Sequence, residues 1–146
     1  MRREHPSLPI PGVAATVFHN GCILLSVRGK APSKGKWGLP GGAVETGETL
    51  ENAIIREVKE ETDITIQPIK LLTFFDAVTR EESGEVLYHY ILFEYLCEYV
   101  SGEVNAMSDA PDARWVSLDE LDNIDIMEST KRFIKGVLGT EKIDTL

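Results

Sequence analysis

The stretch "GGAVETGETLENAIIREVKEETDI", residues 41–64, crowds acids at one end of a segment with helical spacing. At roughly 100° per residue, Glu57, Glu60 and Glu61 fall within about 100° of one another on one face of a helix. Leu50, Ala53, Ile54 and Ile64 project onto the same sector. A surface helix normally sets its acids opposite the apolar stripe that turns to the core. Here the acids continue the stripe, so they are expected to point inward. Such carboxylates repel one another and lose hydration, at a cost of several kcal/mol if unpaired. Arg56 and Lys59 lie on neighbouring and opposite sides and cannot neutralise all three by pairing within the helix. A divalent cation can, and oxygen ligands without nearby histidine or cysteine favour Mg²⁺ or Mn²⁺ over zinc. The plain alternative is a solvated acidic patch at a helix end.

Working outward, Thr46 and Thr49 are candidate caps before this helix, and Glu48 and Glu51 suit its positive end. Upstream, "GVAATVFHNGCILLSVRG" (12–29) places two apolar runs around Asn20-Gly21, whose turn wants positive φ at both central positions. A hairpin is expected there. "KAPSKGKWGLPGG" (30–42) reads as an ordered loop, anchored by Trp37 and Leu39. Downstream, "ITIQPIKLLTFFDAVT" (64–79) and "GEVLYHYILFEYLCEYV" (84–100) read as two long strands joined by a polar turn. The second is apolar on both faces over Leu87–Phe93, as in a central strand covered on two sides. "ARWVSLDEL" (113–121) reads as a strand entering a helical turn, with Ser117 and Glu120 spaced as a capping box. "DIMESTKRFIKGVLG" (125–139) reads as a terminal helix with Ile126, Phe133, Ile134 and Val137 inward and Gly139 as its stop. The fold class is α/β, a mixed sheet between helices.

The chain has 146 residues, 42% of them hydrophobic and 27% charged, which fits one domain with a real core. Its formal charge of −9 argues against a binder of nucleic acid polymers, which needs a basic face. An anionic ligand therefore needs a bridging cation. Cys22 and Cys97 stand apart in apolar runs and read as buried thiols of a reducing compartment. The start "MRREHPSLPIPG" lacks a long apolar region and no run approaches a membrane span, so a cytoplasmic protein without membrane contact is expected.

Gly42, Glu48, Arg56, Glu57, Val58, Glu60, Glu61 and Ile64 together resemble the Nudix box, with Asp63 where the box as a rule has glycine. "KWGLPGG" before it and "ARWVSLDEL" after it are similar to the usual surroundings of that box. The resemblance implies the Nudix fold, an α/β/α sandwich with a mixed sheet, as a single domain over 1–146. It also implies hydrolysis, with Mg²⁺ or Mn²⁺, of a nucleoside diphosphate linked to another moiety by water attack at phosphorus. By position, Glu57, Glu61 and the Gly42 carbonyl are implied metal ligands, Glu60 a ligand or the general base, and Arg56 the group that fixes the carboxylates. Glu48 holds the loop or favours the helix start. A catalytically weak domain that binds a nucleotide derivative is the alternative, and a purely structural metal-binding domain a third reading.

Around this site, Arg28, Lys34 and Lys36 are the nearest bases and either meet substrate phosphates or are simply solvated. Trp37 either stacks a base or packs on the core. His89 reads as a structural histidine. The neighbourhood "AVTREES" (77–83) lacks the proline that ADP-ribose pyrophosphatases of the superfamily often carry beyond the box, so ADP-ribose and a nucleoside triphosphate both remain open as substrates. A homodimer is compatible with the family. Asp63 is expected to end the helix in the left-handed region, where glycine meets no Cβ clash and carries no charge against the helix dipole, so Asp63→Gly is expected to stabilise the fold.

Overall fold

The computed structural model describes residues 3–30, 33–108, 110–141 and 143. Met1 and Arg2 of the leader reading, and Ala31 and Pro32 of the loop reading, lie outside that range. Strand β1 (Ile10–His19) turns at Asn20 and Gly21, with φ of 50° and 74°, into β2 (Cys22–Val27), as the Asn-Gly pair demands. The loop that follows contains two short strands, β3 (Trp37–Gly38) and β4 (Gly41–Ala43). Helix α1 (Leu50–Thr62) comes next, and then the two long strands β5 (Thr65–Arg80) and β6 (Val86–Ser101). Strand β7 (Ala113–Ser117) leads through a 3-10 segment (Leu118–Asn123) to α2 (Glu128–Thr140).

The sheet runs β3-β2-β1-β6-β5, with β4 paired to β1 and β7 to β2. It is mixed because β1 and β6 are parallel, Ile10 opposite Tyr90 through Phe18 opposite Glu98, while the other pairs are antiparallel. Alternation along β1 and β6 divides the core. Val13, Ala15, Val17, Tyr95 and Cys97 face α1 through Ala53, Ile54 and Val58. Phe18 and Leu96 face the other way, with Ile134 and Val137 of α2. The helices thus cover opposite faces of one sheet, an α/β/α sandwich.

Several local expectations need correction. Strand β6 is central, but its fully buried stretch is Glu94–Cys97, and Leu87 and Tyr90–Phe93 are half-buried. Register accounts for Leu87 alone, since β1 begins opposite Tyr90; Tyr90–Phe93 are flanked by β1 and β5 and still stay half-buried, so strand pairing by itself does not cover them. Ser117 makes no side-chain cap, because the segment after it winds as a 3-10 turn, and the predicted capping box with Glu120 is not formed. Helix α2 begins after Ile126 and runs past Gly139 to Thr140, ending at Glu141 in extended geometry, so Gly139 is not its stop. Ile126 is buried through its bridge to Trp37 instead. Ile64 is fully buried just beyond α1, where the chain enters β5, rather than on the helix face. Cys97 is a buried thiol, pushed up to about 12 by burial, whereas Cys22 is half-exposed.

Candidate active site

Helix α1 starts where Thr49 accepts a hydrogen bond from the Asn52 N–H at 3.1 Å, so Thr49 rather than Thr46 is its cap. It ends at Asp63, at φ 64° and ψ 11°, in the left-handed conformation expected from the sequence. The Asp63 N–H donates to the Lys59 carbonyl, and Lys59 Nζ lies 3.0 Å from the Asp63 carboxylate. Lys59 is thereby committed away from Glu57 and Glu61. That ion pair revises the expected gain from Asp63→Gly: relief of strain is offset by losing an exposed pair and by the glycine's unfolded-state entropy. We expect urea unfolding of Asp63→Gly to shift stability by less than about 0.5 kcal/mol, with no change in Mg²⁺ requirement; a raised requirement would make Asp63 a ligand.

Of the three acids on the helix face, Glu57 and Glu61 turn inward and Glu60 stands at the exposed rim. Only 14% of the Glu57 side chain is exposed against 49% of Glu60. Arg56 organises the group. Its Nε and Nη2 donate to the two oxygens of Glu48 at 2.7 and 2.8 Å, a bidentate fork. Nη1 donates to Glu57 at 2.9 Å and to Glu60 at 3.2 Å, and Nη2 also donates to the Ala43 carbonyl at 3.0 Å. Glu48 in turn accepts the Glu45 N–H at 2.9 Å and so pins the loop before the helix. The Arg56 guanidinium holds Glu48 down to about 2, and Glu48 in return raises Arg56.

Arg56 makes no contact with Glu61. The Ser26 hydroxyl on β2 donates to Glu61 at 3.0 Å, and burial nevertheless pushes that carboxyl up to about 7. Burial also raises Glu57, in spite of its bond from Arg56. Arg56 is shared among Glu48, Glu57 and Glu60, and although the charges of Arg3 and Arg28 also act on Glu57 and Glu61, burial outweighs them at both inward carboxyls. An added Cβ at Gly42 would lie 2.5 Å from the Glu57 carboxyl, so any larger residue would displace the end of Glu57 from the β4 backbone. Gly41 is constrained more strictly, since a Cβ there would run into the Val13 backbone carbonyl. Hard carboxylate oxygens, undercompensated, with a bare backbone beside them, form a donor set that fits Mg²⁺ or Mn²⁺. The tightest His/Cys/Asp/Glu group among the described residues is elsewhere, at His5, Glu81 and Glu85 near the β5–β6 turn; it is mostly exposed.

The other sequence candidates are dispersed. Arg28 is exposed, and its charge acts on Glu61. Lys36 is paired with Asp125 at 2.6 Å, and Lys34 is exposed. Trp37 packs against the α2-side core and carries the Arg114 guanidinium over its ring at 4.7 Å. His89 is half-buried, 3.9 Å from Asp76.

Two residues escaped the sequence reading. Ser26 lies 35 positions from its partner Glu61, and only strand pairing brings them together. Glu94 is 6% exposed on the α2 face of β6, a lone acid in "YILFEYLC" whose one signal was its period-two alignment with inward Leu96. Burial pushes Glu94 up to about 7. Because its folded pKa lies above the unfolded one, its contribution to stability is full below about pH 4.5 and is lost as pH rises through about 7. Glu94→Gln lacks this term. In urea unfolding it should therefore be more stable than the parent at pH 8 by up to about 3 kcal/mol, and by much less at pH 5; equal gaps at both pH values would contradict the assignment.

The comparisons agree with this architecture. A NUDIX domain model matches residues 8–136. An ADP-ribose pyrophosphatase of Methanocaldococcus jannaschii is 35% identical over 117 residues, covering 80% of this chain, which spans 65% of that relative's length. A nucleoside triphosphatase NudI of an Enterobacter species is 31% identical, over 82% of this chain and 89% of its own. The crystal structure of a MutT NUDIX hydrolase from Burkholderia pseudomallei superposes with a TM-score of 0.74 at 32% identity, over 90% of this chain and 99% of that one. The chain belongs to the Nudix family, and its α/β/α fold is that family's fold. Among the described residues, no helix is long and apolar enough to cross a membrane.

Proposed function

We propose that the protein is a hydrolase of phosphoric anhydride bonds that needs Mg²⁺ or Mn²⁺ and cleaves a small nucleoside diphosphate derivative, ADP-ribose or a nucleoside triphosphate, in the cytoplasm. The observation that carries this reading is the pair of inward carboxylates, Glu57 and Glu61, both raised by burial and facing a glycine backbone while Arg56 is committed largely to Glu48. The names of the two relatives, an ADP-ribose pyrophosphatase and a nucleoside triphosphatase, support the same reaction class.

Glu57, Glu61 and the Gly42 carbonyl would hold the ion, with Glu60 as a further ligand or as the base. A divalent ion bound there lowers the pKa of a water and withdraws charge from phosphoryl oxygens. The chain does the rest. Arg56 fixes the Glu57 and Glu60 side chains, so little reorganisation is needed when charge develops at phosphorus. Glu60, at the exposed rim, would take the proton of the attacking water where it is not itself a ligand. Ser26 holds Glu61 in place. Arg28 meets a substrate phosphate, and Lys36 does so by exchanging Asp125 for it.

A hydrolysis screen over nucleoside triphosphates, ADP-ribose, dinucleotides and nucleotide sugars, with each metal and with a chelator, tests the proposal. Turnover of at least one diphosphate that ceases with chelator is expected. Absence of hydrolysis across the panel would overturn it.

A further inference from the structure

Among the described residues, the buried polar side-chain atoms that find no hydrogen-bond partner are Glu94 Oε2 and Thr16 Oγ1. Both belong to the α2 face of the sheet. Glu94 stands opposite Ala14, and Thr16 opposite Leu96, on the adjacent parallel strands β6 and β1. An orphaned carboxyl oxygen at this depth is costly unless a ligand completes it. Glu94 is not orphaned into packed core. It lines a cavity of about 230 Å³ together with Leu39, Phe75, Phe133, Ser129 and Thr130. Two aromatic rings, an aliphatic wall and one buried acceptor make a site for a flat heterocycle that carries an N–H donor.

The cavity and the acid face of α1 are joined by a single short segment. Leu39 lines the cavity, and Gly42, three residues on, abuts Glu57. Three extended residues span at most about 10 Å, within reach of a nucleoside 5′-diphosphate. The register agrees, because Ala14 pairs with Glu94 on one side and with Gly41 on the other. The two sites lie on opposite faces of the sheet, so a single ligand joins them by passing round β4, whose strand partner is β1.

We propose that this cavity receives the nucleobase and that Glu94 accepts a hydrogen bond from its exocyclic amine, so that amine-bearing bases are selected over their oxo counterparts. The inference rests on the nucleotide reading above and adds the residue that sets base preference. An oxo group in the amine's place turns an acceptor towards an acceptor and leaves the buried carboxylate unpaired, which is the strongest form of rejection such a pocket offers. The ligand's N–H also favours the ionised carboxylate, supplying what the apo protein lacks.

The test compares binding of ADP with IDP, and of CDP with UDP, by calorimetry at pH 8 with Mg²⁺, alongside hydrolysis of ATP and ITP. In the parent protein the amine-bearing member of each pair should bind at least about ten-fold tighter. In Glu94→Gln, whose amide offers a donor as well as an acceptor, the ratio should fall to within about three-fold, and a melting curve confirms that the variant is folded. Equal affinities in the parent, or a preference that survives in Glu94→Gln, would overturn the inference even if ATP and ITP are both hydrolysed. A preference that disappears in Glu94→Gln, in a protein that hydrolyses neither, would uphold it while the proposed reaction fails.

Discussion

Replacing Glu57 or Glu61 by glutamine is expected to lower turnover by at least about 10²-fold at saturating Mg²⁺, the scale for losing electrostatic stabilisation of a developing charge. The isosteric amide keeps the shape of the site and removes one of two inward charges. Both carboxyls are raised by burial, Glu61 to about 7. Neutralising either relieves desolvation in the metal-free protein, so melting points measured with a chelator should stay level or rise. That pairing of outcomes separates a functional role from a structural one, because a carboxylate that merely supported the fold would cost stability when removed. Full activity in both variants would remove the acid face from the reaction.

The second large effect falls on stability. Arg56→Ala should destabilise the fold by about 2–4 kcal/mol, measured by urea unfolding. The guanidinium has 23% of its side chain exposed, against 19% for Glu48 and 14% for Glu57, so removing it leaves two largely desolvated carboxylates without their common partner. It also releases the Ala43 carbonyl and the loop that Glu48 pins through Glu45. Arg56→Lys should recover only part of the loss, since a single ammonium cannot reproduce a fork to Glu48 while also reaching Glu57. Arg56→Ala as stable as the parent would mean that this network is decorative. Added Mg²⁺ should narrow the gap, because an ion between the acids replaces part of the missing charge.

The parts of the fold that could be read from the chain are those whose causes are local. Asn20-Gly21 specifies its turn through backbone sterics, Thr49 caps α1 with its own side chain, and Asp63 tolerates the left-handed region. The inward turn of Glu57 and Glu61 was visible because helical periodicity relates residues three and four apart, but the same periodicity also turned Glu60 inward, and the structure leaves it at the exposed rim. What stayed hidden depends on pairings made at long range. The parallel β1–β6 ladder starts opposite Tyr90, and no pattern within β6 states where β1 begins. Ser26 meets Glu61 only once β2 lies beside α1. The failed cap at Ser117 and the run-on at Gly139 show the opposite limit: both motifs carry the right residues, but a 3-10 turn and an extended helix end give them no use. Arg56 lay between these cases. Its assignment to the acids came from the resemblance to the Nudix box, while its bidentate grip on Glu48, eight residues earlier, needed the loop to fold back.

The central claim is that the inward face of α1 binds a divalent cation. Electron paramagnetic resonance of Mn²⁺ titrated into the parent protein, Glu57→Gln and Glu61→Gln measures that binding without relying on turnover. The parent should take up the ion, and each variant should bind it at least about ten-fold more weakly. Mn²⁺ binding of equal strength in all three would contradict the account, whatever the hydrolysis screen returns.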